Sequence, residues 1–262
     1  MRAAALLPWA APPLGLVCRS RPAALAASGR DPAPPARRWR VAAAAAAAND
    51  SATSPPPLIA LLRAGARTTA AAHVAWASLV PLGSLCVDAT AGLGGDTVEL
   101  ARLAGPGGAV ISIDTDAAAL EATAAAVDAE RRRGVALAPV TAVSGCHSRL
   151  DAILAEHGGG RAPALVSFNL GFLPGEANAP RREATATQPA TTVTALRAAA
   201  VALAPGGAIS VASYVGHNGG ETEAEAAAAA LGALPAGEWT VVEARLLNRP
   251  SAPRLTLAWR KG

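Results

Sequence analysis

Short apolar runs alternate with longer alanine-rich stretches from Leu58 onward, and this alternation restricts the fold more than any other feature of the chain. The apolar runs predict strands at residues 84–88, 109–114, 136–143, 164–169 and 208–214. The stretches between and around them predict helices at residues 69–80, 97–103, 117–133, 148–156, 191–203 and 221–234. Because strands that alternate with helices form parallel sheets covered on both faces, we expect an α/β fold.

The C-terminal part of the chain departs from this alternation of strands and helices. Residues 239–246 and 254–259 have the composition of two further strands, and the connection at residues 247–253 is short enough for an antiparallel pair. The sequence therefore predicts a Rossmann-like, mostly parallel seven-stranded sheet with a C-terminal antiparallel hairpin. By analogy at the level of the fold, this edge is typical of class I methyltransferases and is missing from many dehydrogenase domains.

The N-terminal region has a composition of its own. Residues 1–48 contain seven arginines, a single acid (Asp31) and a closing run of seven alanines. This composition predicts a disordered organelle transit peptide at residues 1–48, with the chloroplast stroma as the first expectation and the mitochondrial matrix as the second. A disordered tail without a targeting role is a third interpretation. Residues 49–57 form a polar, proline-ending linker, so the folded domain is expected at residues 58–262.

The basic character of the whole chain belongs to this N-terminal region. The remaining residues carry 16 basic and 18 acidic side chains, so a surface that binds RNA has to be local. No stretch predicts a membrane span. Cys86 and Cys146 have no metal-ligand spacing, and no metal site is expected.

A glycine-rich turn follows the first predicted strand, in the sequence Asp88-Ala89-Thr90-Ala91-Gly92-Leu93-Gly94-Gly95-Asp96-Thr97. Glycines at such a turn let the backbone approach a nucleotide-like ligand closely. A dinucleotide fingerprint that starts at Gly92 requires a third glycine where Thr97 stands, and a phosphate-binding loop requires a Gly-Lys-Ser/Thr end that is missing. The spacing instead matches the acid-x-Gly-x-Gly-x-Gly pattern of methyltransferases, with Thr90 at the first glycine.

The chemistry of S-adenosylmethionine agrees with this spacing. Its ammonium group needs an acceptor, which Asp88 can supply directly or through solvent. Asp114 ends the second predicted strand, where a carboxylate can accept both ribose hydroxyls. Asp116 is the expected cap of the next helix. His147 and Ser148 are candidates for contact with the adenine or ribose, and a helix cap is the alternative for Ser148. The residues expected to bind the cofactor are Asp88, Thr90, Gly92, Gly94, Asp96, Thr97, Asp114, Asp116, His147 and Asn169.

The expected reaction centre lies at the end of the fourth predicted strand, in Phe168-Asn169-Leu170-Gly171-Phe172-Leu173-Pro174-Gly175. This segment partly resembles the Asn-Pro-Pro-Tyr loop of amino-group methyltransferases, in which an amide and a carbonyl accept hydrogen bonds from the target nitrogen. Leu170, Gly171 and Phe172 replace Pro-Pro-Tyr.

Several motifs together resemble the family of YtqB-like rRNA methylases. These motifs span most of residues 69–260. They are Asp88-Ala89-Thr90-Ala91-Gly92 with Gly94, Asp96 and Thr97; Phe168-Asn169-Leu170-Gly171 with Leu173-Pro174-Gly175; Thr187-x-Pro189 with Thr191-Thr192; Pro205-Gly206-Gly207; Tyr214-x-Gly216-His217 with Gly219-Gly220 and Glu223; and Asn248 before Pro253. His73 also stands where the family has a histidine. Two departures concern Gly95, where the family often has histidine, and Asn248-Arg249-Pro250, which replaces an Asn-Gln pair.

The resemblance implies N-methylation of 5-aminomethyl-2-thiouridine at the wobble position of tRNA, with S-adenosylmethionine as cofactor and the tRNA anticodon region as partner. The implied catalytic residues are Asn169, Leu170 and Gly171, joined by Tyr214 and His217. His217 is a candidate general base, with RNA contact or loop stabilisation as alternatives. Methylation of rRNA or of a small amine, or a non-catalytic cofactor- or RNA-binding role, are the competing functions. The sequence leaves monomer and homodimer open.

Phosphate contacts are expected from a few arginines near the substrate end. Arg181 and Arg182 lie in the loop after the catalytic segment, and Arg249 and Arg254 lie around the terminal hairpin. Residues 131–133 are arginines that end a predicted helix, a position that favours cations in any case.

Overall fold

The computed structural model describes residues 68–173 and 186–262, which form an α/β fold. The predicted transit peptide, linker and residues 58–67 lie outside the described residues. The strands are β1 (Leu85–Asp88), β2 (Ala109–Asp114), β3 (Val140–Ser144), β4 (Leu165–Leu170), β5 (Ala208–Ser213), β6 (Trp239–Ala244) and β7 (Arg254–Arg260). The helices are α1 (Thr68–Trp76), α2 (Gly95–Ala104), α3 (Ala117–Arg132), α4 (Leu150–His157), α5 (Pro189–Ala202) and α6 (Gly220–Gly232).

The strands form one seven-stranded sheet in the order β3-β2-β1-β4-β5-β7-β6. The first five strands in the chain are parallel to one another, whereas β7 pairs antiparallel with both β5 and β6. Since β7 inserts between β5 and β6, the terminal hairpin completes the sheet on one side. The predicted seven-stranded, mostly parallel sheet with an antiparallel hairpin is therefore confirmed.

Apolar side chains cover both faces of the sheet. On one face, Val87 of β1 and Phe168 of β4 pack with residues of α4, α5 and α6, including Leu196. On the other face, Cys86 and neighbouring strand residues pack with residues of α1 and α2, including Trp76. Successive residues of a strand point to opposite faces, so β1 is buried along its whole length and contributes to both layers.

Two predicted boundaries were wrong because of hydrogen bonds that the sequence pattern does not show. Helix α1 ends at Trp76 rather than at residue 80, because the following residues form tighter turns: the Leu79 amide donates to the carbonyl of Trp76. Strand β3 begins at Val140 rather than at residue 136. The preceding residues pack on α2 instead, where the Ala138 amide donates to the Ala101 carbonyl at 2.9 Å.

The parallel strands bring their carboxyl ends to one edge of the sheet. In the pairing register, Asp88 of β1 lies beside Ser167 of β4, and Asn169 of β4 lies beside Ala212 of β5. The predicted cofactor and substrate segments therefore meet at this edge. In the described part of the chain, no helix has the length and apolar character needed to cross a membrane.

Candidate active site

The glycine turn connects β1 to α2 and is held close to α3. Gly94 has a φ of 83°, and a Cβ atom built on it would lie 2.7 Å from the Cα of Thr123. Gly92 also has a positive φ, of 53°. Among the described residues no atom lies within 4 Å of the Cβ position of Gly95, the position where the family often has histidine. Glycine is required at position 94 both by conformation and by the packing of the two helices.

Asp88 lies beneath the turn and is fully buried. Its Oδ2 accepts a hydrogen bond of 2.6 Å from Thr97 Oγ1, and its Oδ1 accepts one of 3.2 Å from the Thr90 amide. Burial raises the pKa of the Asp88 carboxyl, and the nearby charge of Asp96 raises it further. Asp88 and Thr97 therefore stabilise the glycine turn from its buried side.

Asp114 ties the end of β2 to the same turn. Its Oδ2 accepts from the Gly92 amide at 2.9 Å, and its Oδ1 accepts from the Asp116 amide at 2.9 Å. Each oxygen retains a second lone pair that can accept a ribose hydroxyl. Asp116 caps α3 as predicted, since its Oδ1 accepts from the Ala118 amide.

His147 lies beyond the end of β3, in a short 3-10 helix (His147–Arg149), and is almost fully buried. Its ring makes an edge contact with Phe168, with 5.9 Å between the ring centroids. Burial lowers the pKa of the imidazole. Among the described residues its Nε2 has no hydrogen-bond partner, so this atom is available to a ligand.

Ser148 does not cap a helix, and this alternative was wrong. Its hydroxyl donates to Cys146 Sγ at 3.2 Å, and α4 begins only after Arg149. The 3-10 helix moves the start of α4 two residues along the chain, so the Ser148 side chain cannot reach the free amides of the first α-helical turn.

Asn169 is fixed at both its backbone and its side chain. Its amide nitrogen donates to Thr90 Oγ1, and its Nδ2 donates to Asp96 Oδ2, both at 2.7 Å. Its Oδ1 is buried and has no partner in the described part of the chain. Because the carboxylate of Asp96 can only accept hydrogen bonds, it holds the amino side of Asn169 and leaves the carbonyl side free.

His73 extends this arrangement to α1. Its Nε2 donates to Asp96 Oδ1 at 2.6 Å, and its ring stacks at a tilt on Trp76 with 4.9 Å between centroids. The polar chain therefore runs from His73 through Asp96 to Asn169. Asp96 was predicted as a cofactor ligand, and the structure places it between these two side chains. The motif resemblance pointed to His73, but nothing in the sequence indicated that it meets Asp96.

The carbonyl groups of Leu170 and Gly171 accept hydrogen bonds from backbone amides of the protein. The carbonyl of Leu170 accepts from the Tyr214 amide at 2.9 Å, and that of Gly171 accepts from the Thr187 amide at 2.8 Å. A Cβ atom on Gly171 would lie 3.2 Å from the Cβ of Tyr214 and 3.6 Å from His217 Nε2. Gly171 therefore lies directly against the segment that follows β5.

His217 lies beside Gly171, and its two ring nitrogens have different surroundings. Its Nδ1 donates to the carbonyl of Asn218 at 2.9 Å, and in the neutral ring this leaves Nε2 with a lone pair. Nε2 has no partner in the described residues. The ring also makes an edge contact with Phe172, 5.2 Å between centroids, and Tyr214 is partly exposed beside it.

The arginines expected at the RNA surface differ in their surroundings. Arg254 forms a 2.5 Å ion pair with Glu221, whereas Arg249 is exposed. Arg181 and Arg182 lie outside the described residues. At the end of α3, Arg131 pairs with Asp128, and Arg133 after it pairs with Glu130.

These residues fit S-adenosylmethionine. The Gly92 backbone and the Asp114 carboxylate lie at the end of β2, the free Nε2 of His147 lies beyond β3, and the free Oδ1 of Asn169 lies at the end of β4. The polar atoms therefore lie at the edge where a Rossmann-like sheet binds a nucleoside. Fold and site together define an S-adenosylmethionine-dependent methyltransferase.

Comparison with known proteins identifies the family. The family model described as "Putative rRNA methylase" matches residues 110–260. A chloroplastic tRNA (mnm(5)s(2)U34)-methyltransferase of Arabidopsis thaliana is 34% identical over 204 residues, covering 74% of this chain and 70% of that protein. The chain belongs to the rRNA methylase family, as its motifs predicted.

Solved structures agree with this assignment. A "putative rRNA-methylase" from Clostridium thermocellum is 28% identical, with a TM-score of 0.64 over 74% of this chain and 97% of the other. A "putative methyltransferase" from Streptococcus mutans, in complex with SAH, is 25% identical, with a TM-score of 0.60 over 74% and 98% of the two chains. The predicted enzyme class and cofactor are thereby confirmed.

Proposed function

We propose that this methyltransferase acts on the 5-aminomethyl nitrogen of 2-thiouridine at the wobble position of tRNA, and produces the 5-methylaminomethyl form. The observation that carries the proposal is the buried Oδ1 of Asn169, which has no hydrogen-bond partner among the described residues. A primary amine has N–H groups to donate, and since Asp96 binds the amino side of Asn169, the carbonyl oxygen is the side left to accept them. The tRNA-directed activity in the name of the Arabidopsis relative supports the same substrate.

The amine has to be neutral when it reacts, because its lone pair forms the new bond. S-adenosylmethionine supplies an electrophilic methyl group on a sulfonium, whose carbon–sulfur bond breaks with both electrons going to sulfur. Asn169 Oδ1 accepts one N–H and so directs the lone pair away from itself. Because an alkylamine is protonated at neutral pH, one proton has to leave the nitrogen before it attacks, and Nε2 of His217, 3.6 Å from the Cβ position of Gly171, is the proposed acceptor.

The test uses the full chain, S-adenosylmethionine and tRNA that carries 5-aminomethyl-2-thiouridine. Nucleoside mass spectrometry should show the aminomethyl nucleoside converted to its methylaminomethyl form. A parallel reaction with rRNA tests the activity that the family description names. Methylation of rRNA with unchanged tRNA would reject the proposed substrate, and cofactor binding without any transfer would favour a non-catalytic role.

We also propose that residues 1–48 deliver the enzyme to the chloroplast stroma. The seven arginines against a single acid, together with the chloroplastic relative, support this location. Import of the full chain into isolated chloroplasts and mitochondria tests it. Uptake and shortening by chloroplasts are expected, and uptake by mitochondria alone would contradict the proposal.

A further inference from the structure

We infer that Glu223 of α6 is a positioning residue for methyl transfer, acting through Thr187 on Gly171. This inference rests on the proposed function for its catalytic meaning. Glu223 is only 1% exposed. Its Oε2 accepts from Thr187 Oγ1 and its Oε1 accepts from Thr192 Oγ1, each at 2.6 Å. A buried carboxylate therefore joins α6 to α5 and to the residue that precedes α5 by two positions.

The carboxylate decides how the Thr187 hydroxyl is used. A hydroxyl has a single proton, and Thr187 uses it to donate the short hydrogen bond to Glu223. The oxygen of Thr187 is then left as an acceptor, and the Gly171 amide donates to it at 2.9 Å. In the opposite direction, the Thr187 amide donates to the Gly171 carbonyl at 2.8 Å. Thr187 Oγ1 also lies 3.4 Å from the Gly171 carbonyl oxygen, but its one proton is directed to Glu223. Gly171 and Thr187 are thus joined by two hydrogen bonds, here called the clasp, one of which depends on Glu223.

The clasp holds a residue, Gly171, whose displacement would alter the candidate active site. Gly171 follows Asn169 by two residues, and it lies against Tyr214 and His217. Tyr214 is itself joined to β4, because its amide donates to the Leu170 carbonyl. A shift of Gly171 would therefore move the free acceptor of Asn169 relative to the free nitrogen of His217.

Burial of a carboxylate is costly unless hydrogen bonds compensate for it. Within the described residues, the two threonine hydroxyls compensate Glu223, and no ion pair to it is present there. Thermal stability alone could be obtained with apolar side chains at these three positions. The hydrogen bonds of Glu223 and the two threonines additionally hold Gly171 in a single position. A reaction between precisely placed atoms requires such a fixed position.

The threonines provide a matched pair of variants. Thr187→Val removes the acceptor of the Gly171 amide, whereas Thr192→Val removes the other bond to Glu223 and leaves Thr187 in place. We expect Thr187→Val and Glu223→Gln to lower kcat about tenfold or more with an unchanged cofactor Kd. Thr187→Ser should recover most of kcat, and Thr192→Val should lower the melting temperature without a comparable loss of kcat.

Amide hydrogen exchange measured by NMR follows the clasp without reference to any substrate. The Gly171 amide should exchange about tenfold faster in Thr187→Val than in Thr192→Val, while the Tyr214 amide serves as an internal reference. Equal losses of kcat in the two variants, or equal exchange at Gly171, would overturn the inference. Selective exchange in an enzyme that does not methylate the tRNA would support the clasp and reject the proposed substrate.

Discussion

Asn169 shows how a neighbouring residue can determine which end of an amide side chain is left to bind a ligand. An amide side chain has a donor end and an acceptor end, and either can face a substrate. The Asp96 carboxylate, itself bonded to His73, fixes the donor end at 2.7 Å. The same residue without Asp96 would present both ends, and an amine would meet the wrong one part of the time.

Replacement of Asn169 with alanine tests this role directly. We expect kcat for tRNA methylation to fall about a hundredfold, because the amine loses the group that directs its lone pair. The cofactor Kd, measured by calorimetry on the same variant, should change little. Turnover equal to that of the unchanged enzyme would remove Asn169 from the mechanism.

At the scale of elements, the glycine turn sets the distance between α2 and α3. Gly94→Ala would place a Cβ atom 2.7 Å from the Thr123 backbone and would force a residue with a φ of 83° into a strained conformation. We expect a loss of about 2 kcal/mol or more in the free energy of unfolding. Urea denaturation measures this loss.

Gly95→Ala is the matched control for that substitution. Its Cβ position has no neighbour within 4 Å in the part of the chain that the structure describes, and Gly95 is the first residue of α2. Alanine there should leave stability unchanged or raise it by about 0.5 kcal/mol. If both substitutions have the same effect, helix propensity rather than the contact between α2 and α3 determines the role of Gly94.

The bounds of helices and strands were predictable where the local sequence pattern determines them. They were not predictable where contacts between distant residues determine them. The bounds of β2 agree with the apolar run that predicted them, and Asp116 begins α3 as a cap by a rule that acts over two residues. The start of β3 was misplaced because Ala138 bonds to Ala101, which no local pattern reveals.

The site was predictable to a similar extent. The segments around Asp88 and Asn169 were located by spacing and by resemblance. The sequence could not show that Asp96 turns towards Asn169, which lies 73 positions away. Thr187 and Glu223 belonged to the motifs without any assigned role, since their bond spans 36 positions.

At the scale of the whole molecule, Asp88 makes stability depend on pH. Its pKa is raised in the folded state, so the folded protein binds this proton more tightly than the unfolded chain does. The contribution of Asp88 to stability should therefore fall as pH rises from about 3.9, the ordinary aspartate value, to the raised pKa. The lowered pKa of His147 acts oppositely, and it reduces stability as pH falls below about 6.5.

A comparison with Asp88→Asn separates the two effects. The variant keeps His147 and carries no titrating group at position 88. The difference in unfolding free energy between the two proteins, measured by urea denaturation from about pH 5 to about pH 8, should shift in favour of the variant as pH rises. A difference that stays constant across this range would show that the folded state does not raise the pKa of Asp88 into it.

The insertion of β7 between β5 and β6 has a consequence for how a growing chain acquires this structure. Strand β5 leaves the ribosome before its antiparallel neighbour, since β7 is formed by Arg254–Arg260. Until those residues emerge, the nascent protein carries an open strand edge beside the strand that bears Asn169, and such edges recruit other chains. A frameshift or premature stop before residue 254 would therefore yield an aggregation-prone product rather than a slightly shorter enzyme.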